Sequence, residues 1–504
     1  MSEQPERSHE HEHEHDQEQG QGSESGLGLE QDYDVIVLGA GPTGENLADR
    51  TVAAGLRTVI VESELVGGEC SYWACMPSKA LLRPAALLAE ARAVAGVREA
   101  VRGELDAAAV LARRDSFASD WQDDGQVQWL RDTGIDLVRG HGRLTGERTV
   151  TVTTEDGGER RLTARHAVAV CTGSRAVLPF GVPGLAEAGP WTSREATSAP
   201  KMPPRLIVVG GGVVGAEMAT AWRALGSEVT LLVRGARLLP RMEPFAGELV
   251  ADGLRAAGVD VRTDSSVGEL ERPDQDGPVT VVLADGERLT ADEVLYATGR
   301  APRTEDLGLE RIGLTPGDWL EVDDSCAVRA VEGGWLYAAG DVNHRALLTH
   351  QGKYQARIAG NAIGARAHGK PVDTGRWGAH AASADTAGAP QVVFTHPEVA
   401  AVGLTMAEAE RAGLRVKAVD HDLGAVAGSS LYVDGYTGKA RVVFDLDRQL
   451  LVGACFVGPG VAELLHSATV AVVGEVPIHR LWHAVPSYPT ISEVWLRLLE
   501  DCRG

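Results

Sequence analysis

The patterned part of the chain opens on a short apolar run, Tyr33-Asp34-Val35-Ile36-Val37-Leu38, that stops at glycine. Consecutive Val, Ile and Leu with no polar alternation read as a strand buried on both faces. Gly39-Ala40-Gly41-Pro42-Thr43-Gly44-Glu45 comes next and leads into a helical stretch. A second strand, Thr58-Val59-Ile60-Val61, ends at Glu62. Strand, GxGxxG, helix, strand and terminal acid in that order predict a dinucleotide site. Gly39 allows the tight turn, Gly41 admits a pyrophosphate against the backbone, and Gly44 lets helix and strand pack closely. The phosphates would rest on the helix N-terminus, and Glu62 would accept from a ribose hydroxyl.

The same pattern returns far downstream. Leu206-Ile207-Val208-Val209 runs into Gly210-Gly211-Gly212-Val213-Val214-Gly215-Ala216-Glu217, and Val229-Thr230-Leu231-Leu232 follows. Gly210, Gly212 and Gly215 take the places of the first three glycines, so one chain is expected to bind two dinucleotides. Glu62 stands 23 residues after Gly39, and the same step from Gly210 reaches Val233, followed by Arg234. The acid that would hold a free 2′-hydroxyl and repel a 2′-phosphate is missing. Arg234, with Arg237 and Arg241 nearby, offers a fork of donors to a phosphate. This predicts NADPH over NADH.

Between the units lies Gly67-Gly68-Glu69-Cys70-Ser71-Tyr72-Trp73-Ala74-Cys75-Met76-Pro77-Ser78-Lys79. Two thiols separated by four residues can close a disulfide if the loop turns back. They could equally be half a metal site or two unrelated buried thiols. Zinc ligands usually stand closer, and no second Cys/His pair lies at a suitable spacing. Ser78 to Val94 is rich in Ala and Leu and predicts a helix whose positive end would favour a thiolate. A dithiol beside a flavin can pass electrons from a nicotinamide to an outside acceptor.

Patterning beyond these motifs is coarser. Leu105 to Asp132 reads as helical, and Arg148 to Leu162 as paired strands. Val279–Leu283 and Val294–Ala297 read as strands closing the second unit. Arg366 to Pro390 reads as a linker or surface loop. Ala440–Phe444 and Leu450–Val457 read as strands of a last part that closes with helices. Composition narrows the class. The 504 residues carry a formal charge of −23 with 60 glycines. Residues 1–32 hold ten acids and one base, and His9, His11, His13 and His15 alternate with acids there. That stretch is expected to be a disordered, solvated tail, with a weak metal site as the minor reading. No basic stripe points to nucleic acid, and no apolar span points to a signal peptide or a membrane helix. Six cysteines do not suggest a secreted scaffold; a cytoplasmic enzyme is expected. Cys171, Cys326 and Cys455 are expected to be inert, and Cys502 a chance thiol near the end.

With these motifs the chain resembles the flavoprotein disulfide reductases, the pyridine nucleotide-disulfide oxidoreductases that carry a dithiol near the flavin. Dihydrolipoamide dehydrogenase, glutathione reductase, mercuric reductase and soluble transhydrogenase are members. The likeness runs from Tyr33 to about Leu499. Cys171-Thr172-Gly173-Ser174 and Ala297-Thr298-Gly299-Arg300 resemble the turns that close the two nucleotide domains. Tyr337-Ala338-Ala339-Gly340-Asp341-Val342 resembles the second FAD motif, whose Asp holds the ribityl chain. Phe394-Thr395-His396-Pro397-Glu398 resembles the opening of the dimerisation domain. The resemblance implies an α/β fold with two Rossmann-like domains and a C-terminal α+β dimerisation domain. It divides the chain into an FAD domain at 33–179 and 300–375, an NAD(P) domain at 180–299 and a dimerisation domain at 376–504. It also implies that Cys75 is the thiolate facing the flavin and Cys70 the thiol that attacks the acceptor. Lys79 and Glu217 would form an ion pair near the flavin N5. The expected cofactors are FAD and NADPH, and the expected assembly is a homodimer.

One departure from the disulfide-reducing members matters. Their acid-base histidine, from the partner subunit, stands five residues before a Glu. Here Tyr488 stands five before Glu493, and His483 lies earlier. A phenol titrates near ~10 and imidazole near ~6.5, so a phenol is a poor base at neutral pH. Tyrosine at this place is similar to mercuric reductases and soluble transhydrogenases. Tyr72 and Trp73 also replace smaller residues between the cysteines. The reading is an FAD-dependent oxidoreductase that passes electrons from NADPH through Cys70 and Cys75 to a disulfide, metal ion or quinone. Transhydrogenase, quinone reductase and dihydrolipoamide dehydrogenase are the alternatives.

Overall fold

A computed structural model describes residues 30–274 and 277–503. The first sheet is built on β1 (Glu30–Leu38), β2 (Thr58–Glu62), β3 (Asp136–Arg139) and the long β4 (Glu159–Val170), in the order β3-β2-β1-β4 and all parallel. The second half of β4 also pairs in parallel with Leu336–Ala338, so the chain leaves this sheet and later returns to it. Its first half pairs antiparallel with Thr149–Thr153, which pairs with His141–Gly146. β1 begins at Glu30, three residues before the expected Tyr33. The histidines of the tail lie outside the described residues.

The apolar run of β1 is unbroken because both faces are covered. Val35 and Val37 pack in one cluster with helices α1 (Pro42–Ala53) and Thr349–Ala367. Ile36 and Leu38 pack in another with Leu144, Val150 and Leu336. The two helices sit close because glycines face them. A Cβ on Gly360 would come within 2.5 Å of Arg50 Cβ, and one on Gly364 within 2.8 Å of Ala54 Cβ.

Two helices leave the first unit toward the second. The short α2 covers Gly68–Tyr72, and α3 covers Cys75–Arg92. α3 starts at Cys75, earlier than the expected Ser78. Pro77 falls inside the first turn, where its missing N–H has no helical partner to lose. The expected helical stretch from Leu105 to Asp132 divides into Ala107–Phe117 and Asp124–Thr133, separated by positive φ at Ser119, Asp120 and Trp121.

The second unit repeats the first. β5 (Arg205–Val209), β6 (Glu228–Leu232), β7 (Asp260–Arg262) and β8 (Glu293–Tyr296) form a parallel sheet in the order β7-β6-β5-β8. Helix α4 (Val213–Ala224) follows its glycine turn, and α5 is the returning helix Thr349–Ala367. The last unit is a five-stranded antiparallel sheet covered by Leu465–Val473 and Val494–Arg503. Residues 366–390 are more than a surface loop. Ala381 and Ala382 are buried, and Asp385 accepts from Gln351 and Gln355 inside α5 at 3.0 Å each. Among the described residues no helix is long and apolar enough to cross a membrane.

Candidate active site

The carboxyl ends of the first sheet open on a cleft of about 1330 Å³, its open mouth included. Gly39, Gly41, Glu62, Cys70, Thr172, Gly173 and Asp341, all singled out in the sequence, line it. Gly39 has a φ of +98°, and a Cβ there would strike Cys171 O at 2.6 Å. A Cβ on Gly44 would lie 1.9 Å from Gly39 O, so helix and turn meet with no room for a side chain. Gly41 differs: a Cβ would meet nothing within 4 Å. Its open side is the kind of space a pyrophosphate fills at a helix N-terminus.

The tip of β2 carries Glu62. Its carboxylate accepts from Ala40 N at 2.6 Å and Glu64 N at 2.7 Å. Burial raises its pKa, and these two N–H groups oppose the rise. Asp341 Oδ2 accepts from Ser174 Oγ at 2.5 Å, and Arg300 approaches to 3.9 Å. Burial pushes the Asp341 carboxyl up, against Ser174 and Arg300. Thr172 Oγ1 donates to Arg303 O at 2.8 Å. The cleft therefore presents a glycine cradle, a ribose-height carboxylate and a second carboxylate held by a hydroxyl. That donor set fits FAD.

Of the two thiols Cys70 lines this cleft, and Cys75 is bonded to Cys70 and to Thr349, which lines it too. Cys75 is the first residue of α3, where the helix end favours negative charge. The Cys70 thiol hydrogen-bonds Cys75, and this bond is the main reason the Cys75 thiol is shifted down. Thr349 Oγ1 at 3.1 Å and the Lys79 charge add to it, while burial and Glu217 oppose. Cys70 moves the other way: the same bond, then burial, push its thiol up. The reduced pair is thus polarised, with the negative charge on Cys75 and the proton on Cys70.

Lys79 follows Cys75 by one turn of α3. Its Nζ is 2.7 Å from Glu217 Oε2 and 5.0 Å from the centre of the Phe394 ring. Glu217 is 3% exposed, and its other oxygen accepts from Phe394 N at 3.0 Å. One carboxylate on α4 therefore joins the first unit, the second unit and the C-terminal unit at the site.

The second unit keeps the glycine geometry. A Cβ on Gly210 would lie 2.4 Å from Ala297 O and one on Gly215 1.9 Å from Gly210 O. Gly212 faces open space, and the Gly299 carbonyl accepts from Val177 N at 3.1 Å. Val233 is buried against Gly211. Arg234, Arg237 and Arg241 are exposed.

Tyr488 and Glu493 are not brought to the thiols of their own chain. The cleft is lined wholly by residues 38–349, and Tyr488 stands 76% exposed on the C-terminal unit. Glu493 is buried and accepts from Arg497 at 3.0 Å. Tyr72 and Trp73 do not line the cleft either. The Tyr72 hydroxyl donates to Val66 O at 2.9 Å inside the core, and Trp73 lies under Arg194 at 4.1 Å. The bulk between the cysteines is thus used for packing. Thr349 was missed in the sequence; it begins α5 with no motif around it. Cys171, Cys326 and Cys455 are buried, and burial raises all three thiols. Cys502 is half-buried against the C-terminal core, which also raises its thiol.

Comparison with known proteins agrees with this architecture. The pyridine nucleotide-disulphide oxidoreductase model matches residues 33–367, and the dimerisation domain of the same group matches 389–498. A dihydrolipoyl dehydrogenase of Thermus scotoductus is 32% identical over 92% of this chain and 95% of its own. A mercuric reductase of Staphylococcus aureus is 29% identical over 92% of this chain and 81% of its own. The crystal structure of LpdA from Mycobacterium tuberculosis superposes with a TM-score of 0.78 at 25% identity, covering 93% of this chain and 99% of that one.

Proposed function

The chain belongs to the pyridine nucleotide-disulphide oxidoreductase family, and from that premise we propose that it carries electrons from NADPH to an external acceptor through Cys70 and Cys75. Enzymes of this family use FAD and a pyridine nucleotide. When bound, FAD supplies a two-electron relay between nicotinamide and dithiol. The glycine turn from Gly39 to Gly44 would hold its pyrophosphate, Glu62 a ribose, and Asp341 with Thr172 and Gly173 the far end. The observation that carries the reading is the polarised pair: Cys75 at the start of α3, bonded by Cys70 and Thr349, one turn from the Lys79–Glu217 ion pair.

In this reading the reduced pair gives two electrons to the acceptor as the S–S bond closes, and the Cys70 proton is released with them. Lys79, held by Glu217, keeps a positive charge beside the Cys75 thiolate. Arg234 stands where no acid would repel a 2′-phosphate, which supports NADPH. The assembly is a homodimer, for which the matched dimerisation domain argues, and a second copy would bring Tyr488 toward Cys70. A redox enzyme with few cysteines suits the cytoplasm.

A phenol near Cys70 supports a quinone or a metal ion as acceptor more than a small disulfide. The relatives named dihydrolipoyl dehydrogenase favour a second reading, oxidation of dihydrolipoamide. The test is NADPH oxidation by the purified enzyme with quinones, Hg(II), NAD, lipoamide, mycothiol disulfide and glutathione disulfide. Quinone or Hg(II) should lead; a lead for lipoamide would select the second reading.

A further inference from the structure

Behind the turn that carries Asp341 runs a chain of buried hydrogen bonds whose donors and acceptors are fixed by chemistry. Gly340 and Asp341 line the cleft, and Gln355 of α5, 0% exposed, stands behind them. Its Oε1 accepts from Gly340 N at 2.7 Å and from Asn343 Nδ2 at 2.8 Å. A backbone N–H can only donate, so the amide oxygen must face the turn and the amide nitrogen must face away. On that far side Nε2 donates to Asp385 Oδ2 at 3.0 Å. Asp385 also accepts from Gln351 Nε2 at 3.0 Å, and the Arg345 charge lies 3.0 Å from Oδ2. Two amides and a guanidinium thus meet one buried carboxylate, and the Gln355 oxygen is held on the Gly340 N–H. The turn has little room to drift. A Cβ on Gly340 would lie 2.8 Å from Thr43 Oγ1, and one on Gly352 2.4 Å from the same atom. Thr43 lines the cleft beside the first glycine turn.

We propose that Asp385 is a positioning residue of the FAD site. It fixes the Gln355 amide, the amide fixes the turn Gly340–Asn343, and the turn presents Asp341 to the cofactor. Asp385 itself does not line the cleft, so its effect passes through Gln355. This inference rests on the reading of the cleft as the FAD site with Asp341 among its ligands. Loss of the Asp385 acceptor would leave a buried N–H without a partner, and the Gln355 amide could then turn its nitrogen toward the Gly340 N–H. A neutral amide at position 385 would still present an oxygen to Gln355; an apolar side chain of similar size would not. A carboxyl at position 355 would still accept from Gly340 N. It would bond Asp385 only while it carries a proton, because two carboxylates repel. Arg345, paired with Asp324, is the charge that faces this pair, and Tyr354 and Cys326 are the titratable groups beside Asp385.

The experiment dilutes the FAD-loaded enzyme at a fixed temperature and follows released flavin by its fluorescence, with no turnover involved. Asp385→Leu should release FAD roughly tenfold or more faster than wild type, the usual worth of a hydrogen bond to a charged group. Asp385→Asn keeps an acceptor of the same shape and should release FAD more slowly than Asp385→Leu. A role in packing alone would not separate the two in this order. Gln355→Glu should hold FAD in mildly acid solution and release it roughly tenfold or more faster in mildly basic solution. The wild type should not share that trend. Should Asp385→Leu fail to fold, Gln355→Glu carries the test. Asp341→Ala should also speed release; if it holds FAD as the wild type does, the reading of the cleft fails and the proposal with it. If Asp341→Ala loses FAD while Asp385→Leu releases it no faster than Asp385→Asn, or while Gln355→Glu is indifferent to pH, the proposal alone is overturned.

Discussion

Thr349 Oγ1 stands 3.1 Å from Cys75 Sγ, joining the first residue of α5 to the first residue of α3. This bond helps hold the Cys75 thiol below its ordinary range. A hydrogen bond to a charged group contributes roughly 1.5 kcal/mol, or about one pH unit. In Thr349→Val the thiolate should form about one unit higher in pH. The check is the pH midpoint of the long-wavelength absorbance between thiolate and flavin in the NADPH-reduced enzyme. An unchanged midpoint would show that Cys70 and Lys79 suffice.

The glycines of the first turn should separate fold from cofactor. Gly44→Ala forces a Cβ to 1.9 Å from Gly39 O, so both stability and FAD content should drop. Gly41→Ala meets no protein atom within 4 Å and should keep the fold while FAD occupancy falls. Flavin absorbance per chain and Tm, measured together, distinguish the two.

Nicotinamide preference should move with Arg234. Its position after the buried Val233 leaves the site without an acid. Arg234→Glu should shift preference toward NADH by about tenfold, roughly 1.4 kcal/mol. Comparison of kcat/KM for the two nucleotides checks this. A wild type that prefers NADH by that factor would refute the arginine argument.

The exposed Tyr488 offers a gain-of-function test. A phenol at neutral pH can give a proton but hardly take one, whereas imidazole does both. Tyr488→His should raise turnover of lipoamide or glutathione disulfide, while the wild type turns them over slowly. Fast wild-type turnover of either would point to another acid-base group.

Both nucleotide units were legible because local geometry forces their residues. Gly39, Gly44, Gly210 and Gly215 sit where backbone meets backbone, and the apolar runs that lead into them, Val35–Leu38 and Leu206–Val209, are unbroken because both faces are covered. The start of α3 was less legible, since Pro77 looks like a boundary until it is seen inside the first turn. Thr349 and Asp385 could not be read. Thr349 meets Cys75 of α3 from 274 residues away, and Asp385 comes from a stretch that looks like a surface loop to meet Gln351 and Gln355 of α5, and no local pattern encodes either contact.

Anaerobic titration with NADPH tests the central claim most directly. If Cys70 and Cys75 are a redox partner of the flavin, the oxidised enzyme should take up two electron pairs per chain. A long-wavelength band should appear after the first pair. Cys75→Ser should abolish the band, and Cys70→Ser should show it without reduction. Uptake of one pair by the wild type, with no band, would contradict the account.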